Sequence, residues 1–161
     1  MVNTKNIQKY IILHNIRSAY NVGSIFRTAD AIGISKIFLT GYTPTPIDKF
    51  GRARADIAKT ALGAEEEIKW EYKKHPKTVI QKLKEEGFSI IAIEQSEDAV
   101  DYKKVKVNGD VSFIVGNEVR GISSSILKDC DMIAEIPMKG FKESLNVSVA
   151  TGIAIFRILD K

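Results

Sequence analysis

The sequence predicts an α/β fold with a mostly parallel sheet flanked by helices. Apolar segments of strand length alternate with amphipathic segments of helix length, which is the pattern of repeated strand–helix–strand units. Phe88–Ile93 and Val111–Val115 are apolar and rich in β-branched residues, as expected of central strands buried on both faces. The chain has 161 residues, 44% of them hydrophobic and 27% charged, so we expect a single domain over residues 1–161.

The first half of the chain is predicted to contain a strand, a helix, a second strand and a long polar loop. Tyr10–His14 and Lys36–Thr40 are short apolar segments and predict strands. Between them, apolar residues recur every three or four positions over Asn21–Ile32, which predicts an amphipathic helix. The loop after the second strand contains prolines together with Arg52 and Arg54.

The second half continues the alternation. A weaker strand is predicted at Ile68–Tyr72, followed by a helix at Pro76–Glu86 with Gly87 as its C-terminal cap. After the two central strands, Ser123 is placed to cap a short helix. The last three elements are a helix, a strand and a helix, predicted at Ser124–Lys128, Met132–Ile136 and Leu145–Leu159.

The final predicted helix, Leu145–Leu159, is apolar around nearly its whole circumference. A helix of this kind is buried on more than one side. In such a short chain, one side is expected to contact the sheet and the other a second subunit, which favours a homodimer. A helix enclosed within one subunit would give the same sequence pattern.

Composition narrows the classes of function. The formal net charge of +4 and the pI of about 9.1 are a mild basic bias, which favours binding of a polyanion. Cys130 is the single cysteine, which excludes an internal disulfide, and with only His14 and His75 beside it a metal site is not expected. No segment has the ~18 apolar residues of a membrane span. The N-terminus lacks the apolar core of a signal peptide, so we expect a cytoplasmic location.

Polar residues are concentrated just after predicted strands, where ligands of open α/β sheets bind. The three clusters are Asn15–Arg27, Val115–Gly121 and Ile136–Ile153. Taken singly, their members have ordinary structural explanations. Arg27 lies opposite the apolar stripe of its helix and is compatible with a solvated side chain, while Asn21 and Ser144 suit helix caps.

The second cluster has the glycine spacing of a phosphate-binding loop without its chemistry. Gly116 and Gly121 are spaced as in G-x-x-x-x-G-K, but Ile122 stands where the lysine is required, which argues against nucleoside-triphosphate chemistry. The sequence also lacks a G-x-G-x-x-G dinucleotide fingerprint. The glycines still permit close approach of the backbone to a flat ligand. Glu118 and Arg120 are also compatible with a surface ion pair, which would contribute little to the stability of the fold.

The three clusters contain, in order, the signature motifs of a known family. The motifs N-x-G-x-x-x-R, G-x-E-x-x-G and I-P-M-x-G-x-x-x-S-L-N-V-S-V-A occur at Asn21–Arg27, Gly116–Gly121 and Ile136–Ala150. The chain therefore resembles the SPOUT superfamily of RNA methyltransferases, in its SpoU or TrmH-type branch of tRNA/rRNA ribose 2′-O-methyltransferases. The resemblance extends over Tyr10–Leu159, and the third motif is too long for chance agreement.

The resemblance implies a C-terminal trefoil knot, an obligate homodimer and S-adenosyl-L-methionine as cofactor. Knots are rare, and no sequence periodicity would predict one. Many of the implied cofactor contacts would come from backbone groups that recognise the adenine, which suits a pocket of apolar residues and glycines. The residues that match the cofactor-binding positions are Ile93, Glu94, Gly116, Ile136, Met138, Leu145 and Asn146.

The implied reaction transfers a methyl group from a sulfonium to a ribose 2′-hydroxyl of RNA, with tRNA expected ahead of rRNA. By motif match, Arg27 acts on that hydroxyl. Because a guanidinium stays protonated, we expect Arg27 to stabilise the developing alkoxide electrostatically. The residues that would position Arg27, the ribose and the methyl donor are Asn21, Glu118, Ser144 and Asn146. The basic residues expected to contact RNA phosphates, each also compatible with ordinary surface charge, are Arg17, Arg52, Arg54, Lys59 and Arg120.

Other functions are compatible with the sequence. A non-catalytic RNA-binding or assembly protein could share the fold, although the intact motif residues argue against it. A small-molecule methyltransferase would need a closed substrate pocket, and the basic loop at Arg52 and Arg54 argues against that. Among RNA methyltransferases, the target could lie in the tRNA D-loop, at a wobble or anticodon-loop position, or in rRNA.

Overall fold

The computed structural model describes residues 6–160, which contain strands and helices in alternation. The strands are Lys9–His14 (β1), Lys36–Thr40 (β2), Lys69–Lys73 (β3), Ser89–Ile93 (β4), Val100–Asp101 (β5), Val111–Val115 (β6) and Met132–Glu135 (β7). The helices are Ala19–Ile32 (α1), Ala55–Ala61 (α2), Ala64–Glu67 (α3), Pro76–Glu85 (α4), Ser124–Leu127 (α5) and Val147–Leu159 (α6), with a 3₁₀ turn at Tyr102–Lys104.

The strands form one seven-stranded sheet in the order β3-β2-β1-β6-β4-β7-β5. Every neighbouring pair is parallel, so the predicted α/β fold with a parallel sheet is confirmed. Every residue of β6 is buried, and β4 is buried at all positions but its first, because helices cover both faces of the sheet centre. The trefoil knot stays a prediction, with which this strand order is compatible.

Two apolar cores lie on opposite faces of the sheet because successive side chains of a strand alternate between its faces. Ile11 and Leu13 of β1 pack into a core shared with α1 and α6, whereas Ile12 between them packs into a second core shared with α4. The same alternation separates Phe113 from Ile114 on β6. Helices α1 and α6 therefore lie on one face of the sheet.

Helix boundaries correct two sequence expectations about caps and confirm a third. The first helix begins at Ala19, not Asn21, and the hydroxyl of Ser18 accepts from the backbone N–H of Asn21 as its N-terminal cap. The last helix begins at Val147, so Ser144 precedes it, and Asn146 is its cap. The prediction for Ser123 is confirmed, since its hydroxyl accepts from the backbone N–H of Ile126.

The sequence did not predict α2, α3 or β5, which are short and depend on tertiary contacts. Helix α2 packs against α1 at Gly23, where a Cβ atom would collide with the Thr60 side chain and the Ile57 carbonyl. Gly23 of the first motif therefore permits close contact between two helices. Helices this short are only marginally stable on their own, so the sequence after β2 shows no helical pattern and predicted a loop.

Ser112, in the middle of β6, is fully buried, and its hydroxyl has no hydrogen-bond partner among residues 6–160. An unsatisfied buried hydroxyl costs about 1–3 kcal/mol. Ser112→Ala should therefore raise the free energy of unfolding by about 1 kcal/mol, measured by urea denaturation. The matched control is Thr40→Val, because Thr40 is also fully buried but contacts His14 Nδ1 at 2.9 Å, and this variant should be less stable than the wild type. A destabilised Ser112→Ala would contradict this account.

Within residues 6–160, no helix combines the length and the apolar character needed to cross a membrane.

Candidate active site

A cavity of about 340 Å³ opens at the carboxyl ends of β4, β6 and β7, the edge of the sheet at which the sequence predicted a ligand site. Its walls come from the segments that follow these strands and from the start of α6. The predicted cofactor-binding residues that line it are Ile93, Glu94, Gly116, Ile136, Met138 and Leu145. Asn146, also predicted to bind the cofactor, lies just outside the lining and caps α6.

The two glycines of the second motif fold the segment after β6 back on itself. Gly121 donates its N–H to the Asn117 carbonyl at 2.9 Å and has a φ of +65°, which favours glycine. A Cβ atom on Gly116 would lie 2.6 Å from Ile122 Cγ1 and 2.8 Å from the Gly121 carbonyl. These glycines therefore pack the loop tightly, which shapes one wall of the cavity.

Glu94, at the end of β4, holds that loop in place. Its carboxylate accepts from the backbone N–H of Ile122 at 3.0 Å and from that of Gln95 at 2.9 Å. It also leaves no room for a side chain at Gly121, where a Cβ atom would collide with the carboxylate. The structure thus places Glu94 in the cavity wall with its carboxylate bound to backbone groups.

Asn117 holds several segments of the site together, although it was not predicted from the sequence as a site residue. It is buried, and its amide donates to the Asn15 carbonyl at 3.0 Å and contacts the Tyr42 hydroxyl at 2.8 Å. Its side-chain carbonyl accepts from the backbone N–H groups of Val119 and Arg120. Asn117 therefore ties together the segments that follow β1, β2 and β6. The available signal was an asparagine in a glycine-bounded turn, where such side chains bind nearby backbone groups.

Glu118 binds the N-terminus of α1. Its two carboxylate oxygens accept from the backbone N–H of Arg17 at 3.0 Å and from that of Ser18 at 3.1 Å. The side-chain amide of Asn21 donates to the same carboxylate at 3.2 Å. A negative charge here is favourable because the free N–H groups and the helix dipole both point toward it. Glu118 is therefore bound within the first motif, and the ion pair with Arg120 considered from sequence does not hold it.

One chain of hydrogen bonds joins all three motifs. Asn21 donates its side-chain amide to Glu118, and its carbonyl oxygen accepts from the amide of Asn146 at 3.3 Å. The carbonyl oxygen of Asn146 in turn accepts from the Ser148 N–H at 2.9 Å and from its hydroxyl at 2.6 Å. The starts of α1 and α6 and the loop after β6 are thereby fixed relative to one another beside the cavity.

The environment of Glu118 stabilises its charged form. Burial acts to raise the pKa of Glu118, but hydrogen bonds from the Arg17 and Ser18 backbone and the Asn21 side chain hold the pKa below its ordinary value of 4.5. The carboxylate is therefore ionised at neutral pH.

Glu118→Gln should lower the free energy of unfolding at pH 7 by about 1 kcal/mol, because solvent screens the charge of this partly exposed carboxylate. Because the folded-state pKa is lowered, this contribution is complete above the unfolded-chain pKa near 4.5 and is lost as the pH falls through the folded value. Urea unfolding at pH 7 and at pH 3 should show the difference from the wild type shrinking at the lower pH. The exposed Glu97→Gln is the control, and a pH-independent loss for Glu118→Gln would contradict the assignment.

Ser144 lines the cavity on an exposed segment before α6. Its hydroxyl makes no hydrogen bond to another part of the described chain, so it remains available to a ligand. Gln95 supports this segment, since its side-chain amide donates to the Glu143 carbonyl at 2.6 Å. Gln95 was not predictable from the sequence, because a single polar residue after a strand carries no distinctive pattern.

Arg27 stands apart from the other predicted catalytic residues. It lies on the exposed side of α1, and it does not line the cavity of its own chain. Helix α6 packs along α1, with Gly152 facing Thr28 such that an added Cβ atom would lie 3.5 Å from the Thr28 methyl group. The guanidinium of Arg27 forms no salt bridge within residues 6–160.

The exposed side of α6 is largely apolar, with Arg157 as its charged residue in the last turn. Val149, Ile153 and Phe156 lie on one face of the helix, with exposed fractions of 48%, 40% and 45%. We call these three residues the outer face of α6. Apolar residues that recur at this spacing on a helix normally cover a contact surface.

The five predicted RNA-binding residues have different surroundings. Arg52 is paired with Asp48 at 3.1 Å, and Arg54 forms a two-pronged contact with Asp56. The other three side chains are exposed. Arg120 lies at the cavity, Arg17 lies beside Glu118, and Lys59 lies over the Tyr20 ring. Surface ion pairs add little to stability, so Arg54 can exchange its carboxylate for a phosphate. Arg52 contacts Asp48 through Nε, and its other guanidinium N–H groups can bind a phosphate while that contact is kept.

Among residues 6–160, no group of three or more histidine, cysteine, aspartate or glutamate side chains is arranged to hold a metal ion.

The protein has a parallel α/β sheet with a cavity at the carboxyl ends of its strands, and three polar motifs border this cavity. These features define an α/β protein with a small-molecule site at that edge of the sheet. The sequence pattern of the SpoU rRNA Methylase family matches residues 8–156. The chain belongs to this family, and the resemblance drawn from its motifs is confirmed.

Similar proteins agree with this assignment. The 23S rRNA (guanosine-2′-O-)-methyltransferase RlmB of Pseudomonas aeruginosa is 30% identical over 156 residues, which cover 97% of this chain and 60% of RlmB. The AdoMet-bound rRNA methyltransferase of Sinorhizobium meliloti superposes with a TM-score of 0.84 at 28% identity, over 94% of this chain and 55% of that one. The TrmH/SpoU tRNA modifying enzyme of A. aeolicus has a TM-score of 0.82 at 28% identity, over 94% and 74%. The chain spans about 60% of the length of the curated relatives it matches.

Proposed function

We propose that this protein is an S-adenosylmethionine-dependent methyltransferase that acts on a ribose 2′-hydroxyl of RNA, with tRNA ahead of rRNA as the substrate. One observation carries the proposal: Glu118, Asn21 and Asn146, one from each motif, form a single hydrogen-bonded chain beside the cavity. Family membership supports the same activity, because relatives are named as rRNA and tRNA modifying enzymes.

The cavity fits S-adenosylmethionine. Its volume of about 340 Å³ lies within the range of about 300–1,000 Å³ typical of small-molecule sites. Apolar side chains such as Ile93, Ile136 and Leu145 would flank the adenine, and backbone groups of the loop at Gly116 would recognise its edge. The cofactor supplies a methyl group on a positively charged sulfur, which the ribose 2′-oxygen accepts as its proton is released.

Arg27 would act on the 2′-oxygen through its charge. A guanidinium cannot be deprotonated at neutral pH, so Arg27 stabilises the negative charge that develops on the oxygen. The released proton passes to a phosphate oxygen or to water. Asn21, Asn146 and Glu118 act as positioning residues, because their hydrogen bonds set the direction of α1 and therefore of Arg27.

A homodimer through the outer face of α6 completes the proposal. Val149, Ile153 and Phe156 are exposed in a single chain, and pairing with a second copy would bury them. Because α1 packs beside α6, such a dimer carries Arg27 of one subunit toward the other subunit. This arrangement explains why Arg27 lies outside its own cavity.

RNA is held by the basic residues at the same edge of the sheet. Arg120 and Arg17 lie closest to the cavity, with Lys59, Arg52 and Arg54 on the segment after β2. Phosphate contacts of this kind set the orientation of the RNA and make binding dependent on salt. With cellular RNA as the substrate, we propose a cytoplasmic location for the protein.

Calorimetric titration with S-adenosylmethionine tests the cofactor site. The wild type should bind, and Leu145→Asp should bind at least tenfold more weakly, because it adds a carboxylate to the apolar wall outside any helix. The control is Leu62→Asp at an exposed position that does not line the cavity, and it should bind as the wild type does. A folded wild type that shows no binding would favour the non-catalytic RNA-binding alternative.

A further inference from the structure

The segment after β2 contains a small hairpin, residues 47–53, with an exposed aromatic side chain at its tip. Ile47 and Ala53 form an antiparallel bridge that closes the hairpin. Phe50 is 69% exposed, although a phenylalanine on a short turn could pack against the adjacent surface. Single exposed apolar residues are common, so the significance of Phe50 depends on how the hairpin holds it.

Asp48 makes the 47–53 hairpin rigid. One of its carboxylate oxygens accepts from the backbone N–H groups of Phe50 at 2.8 Å and Arg52 at 2.9 Å, and the other accepts from Arg52 Nε at 3.1 Å. Backbone bonds from Asp48 to Arg52 and from Gly51 to Asp48 close the turn, and Gly51 has a φ of +77°. The backbone at Phe50 is therefore held in one conformation with the side chain exposed, which reduces the backbone entropy lost when the ring makes a contact.

Two cations accompany the ring. Lys49 Nζ lies 5.1 Å and Arg52 Cζ lies 5.0 Å from the ring centroid of Phe50. An exposed ring next to positive charges matches the two chemical features of a nucleotide, a flat base and an anionic phosphate. The two cations add to the basic residues that the proposed function assigns to RNA, which favours a nucleotide over a protein partner.

The 47–53 hairpin belongs to a segment that leaves the sheet at the carboxyl ends of its strands, the edge at which the cavity opens. It follows the carboxyl end of β2, and Tyr42 at the start of that segment contacts Asn117 in the loop of the second motif. Helix α2 begins directly after the hairpin and places Lys59 over the half-exposed ring of Tyr20, 5.8 Å from its centroid. An aromatic ring with a cation beside it therefore occurs both at the hairpin and at the start of α1.

We propose that Phe50 is a base-stacking contact for RNA, presented by the 47–53 hairpin at a distance from the reacting ribose. The inference rests on the proposed function, since it assumes an RNA substrate. It also assigns Arg52 a second role, because its guanidinium fixes the hairpin through Asp48 as well as adding positive charge. A nucleotide outside the reacting one would stack on the ring, so the contact selects RNA with an unpaired base at that position.

Binding of unfractionated bacterial tRNA, measured by fluorescence anisotropy over a range of salt concentrations, tests the contact. Phe50→Ala should raise the Kd about tenfold, and Phe50→Tyr should restore most of the affinity. Phe50→Ala should leave the slope of log Kd against log salt unchanged, whereas Lys49→Ala should reduce that slope by about one. The control is Ile7→Ala, an exposed apolar residue before β1 at the opposite edge of the sheet.

A fluorescent variant gives an independent readout. In a Trp70→Phe background, which removes the single native tryptophan, Phe50→Trp should lose much of its emission when tRNA is added. An unquenched indole, or wild-type affinity in Phe50→Ala, would overturn the inference. Loss of the dimer in Phe50→Ala would also overturn it, by assigning the ring to a protein contact.

The two proposals fail separately. If the wild type methylates RNA and Phe50→Ala has the same KM for tRNA, the stacking contact is wrong and the methyltransferase assignment stands. If the wild type neither binds S-adenosylmethionine nor transfers methyl groups, but quenching depends on Phe50, the contact stands and the enzymatic function is wrong.

Discussion

Replacing Arg27 with alanine should lower kcat for methyl transfer to RNA by about 10²–10³-fold, the effect of removing one electrostatic stabiliser of a developing oxyanion. The affinity for S-adenosylmethionine should stay within about twofold of the wild type, because Arg27 does not line the cavity of its own chain. Single-turnover kinetics with saturating cofactor and calorimetry together provide both measurements.

Arg27→Lys sharpens this test. An ammonium keeps the charge but not the planar fork of the guanidinium, so we expect the lysine variant to remain at least tenfold slower than the wild type. Lys82→Ala, an exposed charge on α4 across the sheet, is the control and should react normally. Near-normal turnover by Arg27→Lys would show that Arg27 has no special role.

Ile153→Asp should convert the protein from a dimer to a monomer and reduce methyl transfer to the level of Arg27→Ala. The substitution places a carboxylate in the outer face of α6, where dimerisation would bury it unpaired. In the proposed dimer Arg27 acts at the cavity of the other subunit, so loss of the dimer should also lower the activity. Analytical ultracentrifugation at micromolar concentration measures the assembly, and the same labelled-methyl assay measures the activity.

Ile7→Asp is a closely matched control. Ile7 is 41% exposed and Ile153 is 40% exposed, but Ile7 precedes β1 at the opposite edge of the sheet. Ile7→Asp should therefore remain a dimer with wild-type activity. A monomeric wild type, or an Ile153→Asp variant that stays dimeric, would exclude the outer face of α6 as the subunit interface.

Central strands were predictable because burial on both faces leaves a nearly continuous apolar run. Val111–Val115 matches β6 at both ends, and the predicted Phe88–Ile93 exceeds β4 by one residue. Helix α2 was not predictable in this way, because its place depends on the close contact at Gly23, which joins segments far apart in the chain. Strand β5 has two residues and carries no periodic signal.

The candidate site was likewise predictable from the sequence only in part. The motifs selected Asn21, Glu118 and Asn146, and the structure brings these three side chains into one hydrogen-bonded chain. Their individual bonds were not predictable, since the sequence alone allowed Glu118 to pair with Arg120 and gave the α6 cap to Ser144 instead of Asn146. Motif order identifies which residues belong to a site, whereas the partner of each residue depends on three-dimensional packing.

The methyltransferase function is tested most directly by incubating the wild type with S-adenosylmethionine labelled in its methyl group and with undermodified total tRNA and rRNA. The label should appear on RNA and should remain on the ribose of a single nucleotide after digestion to nucleosides, with tRNA labelled ahead of rRNA. Label on a base would contradict the ribose assignment, and the absence of label from every RNA would contradict the methyltransferase function.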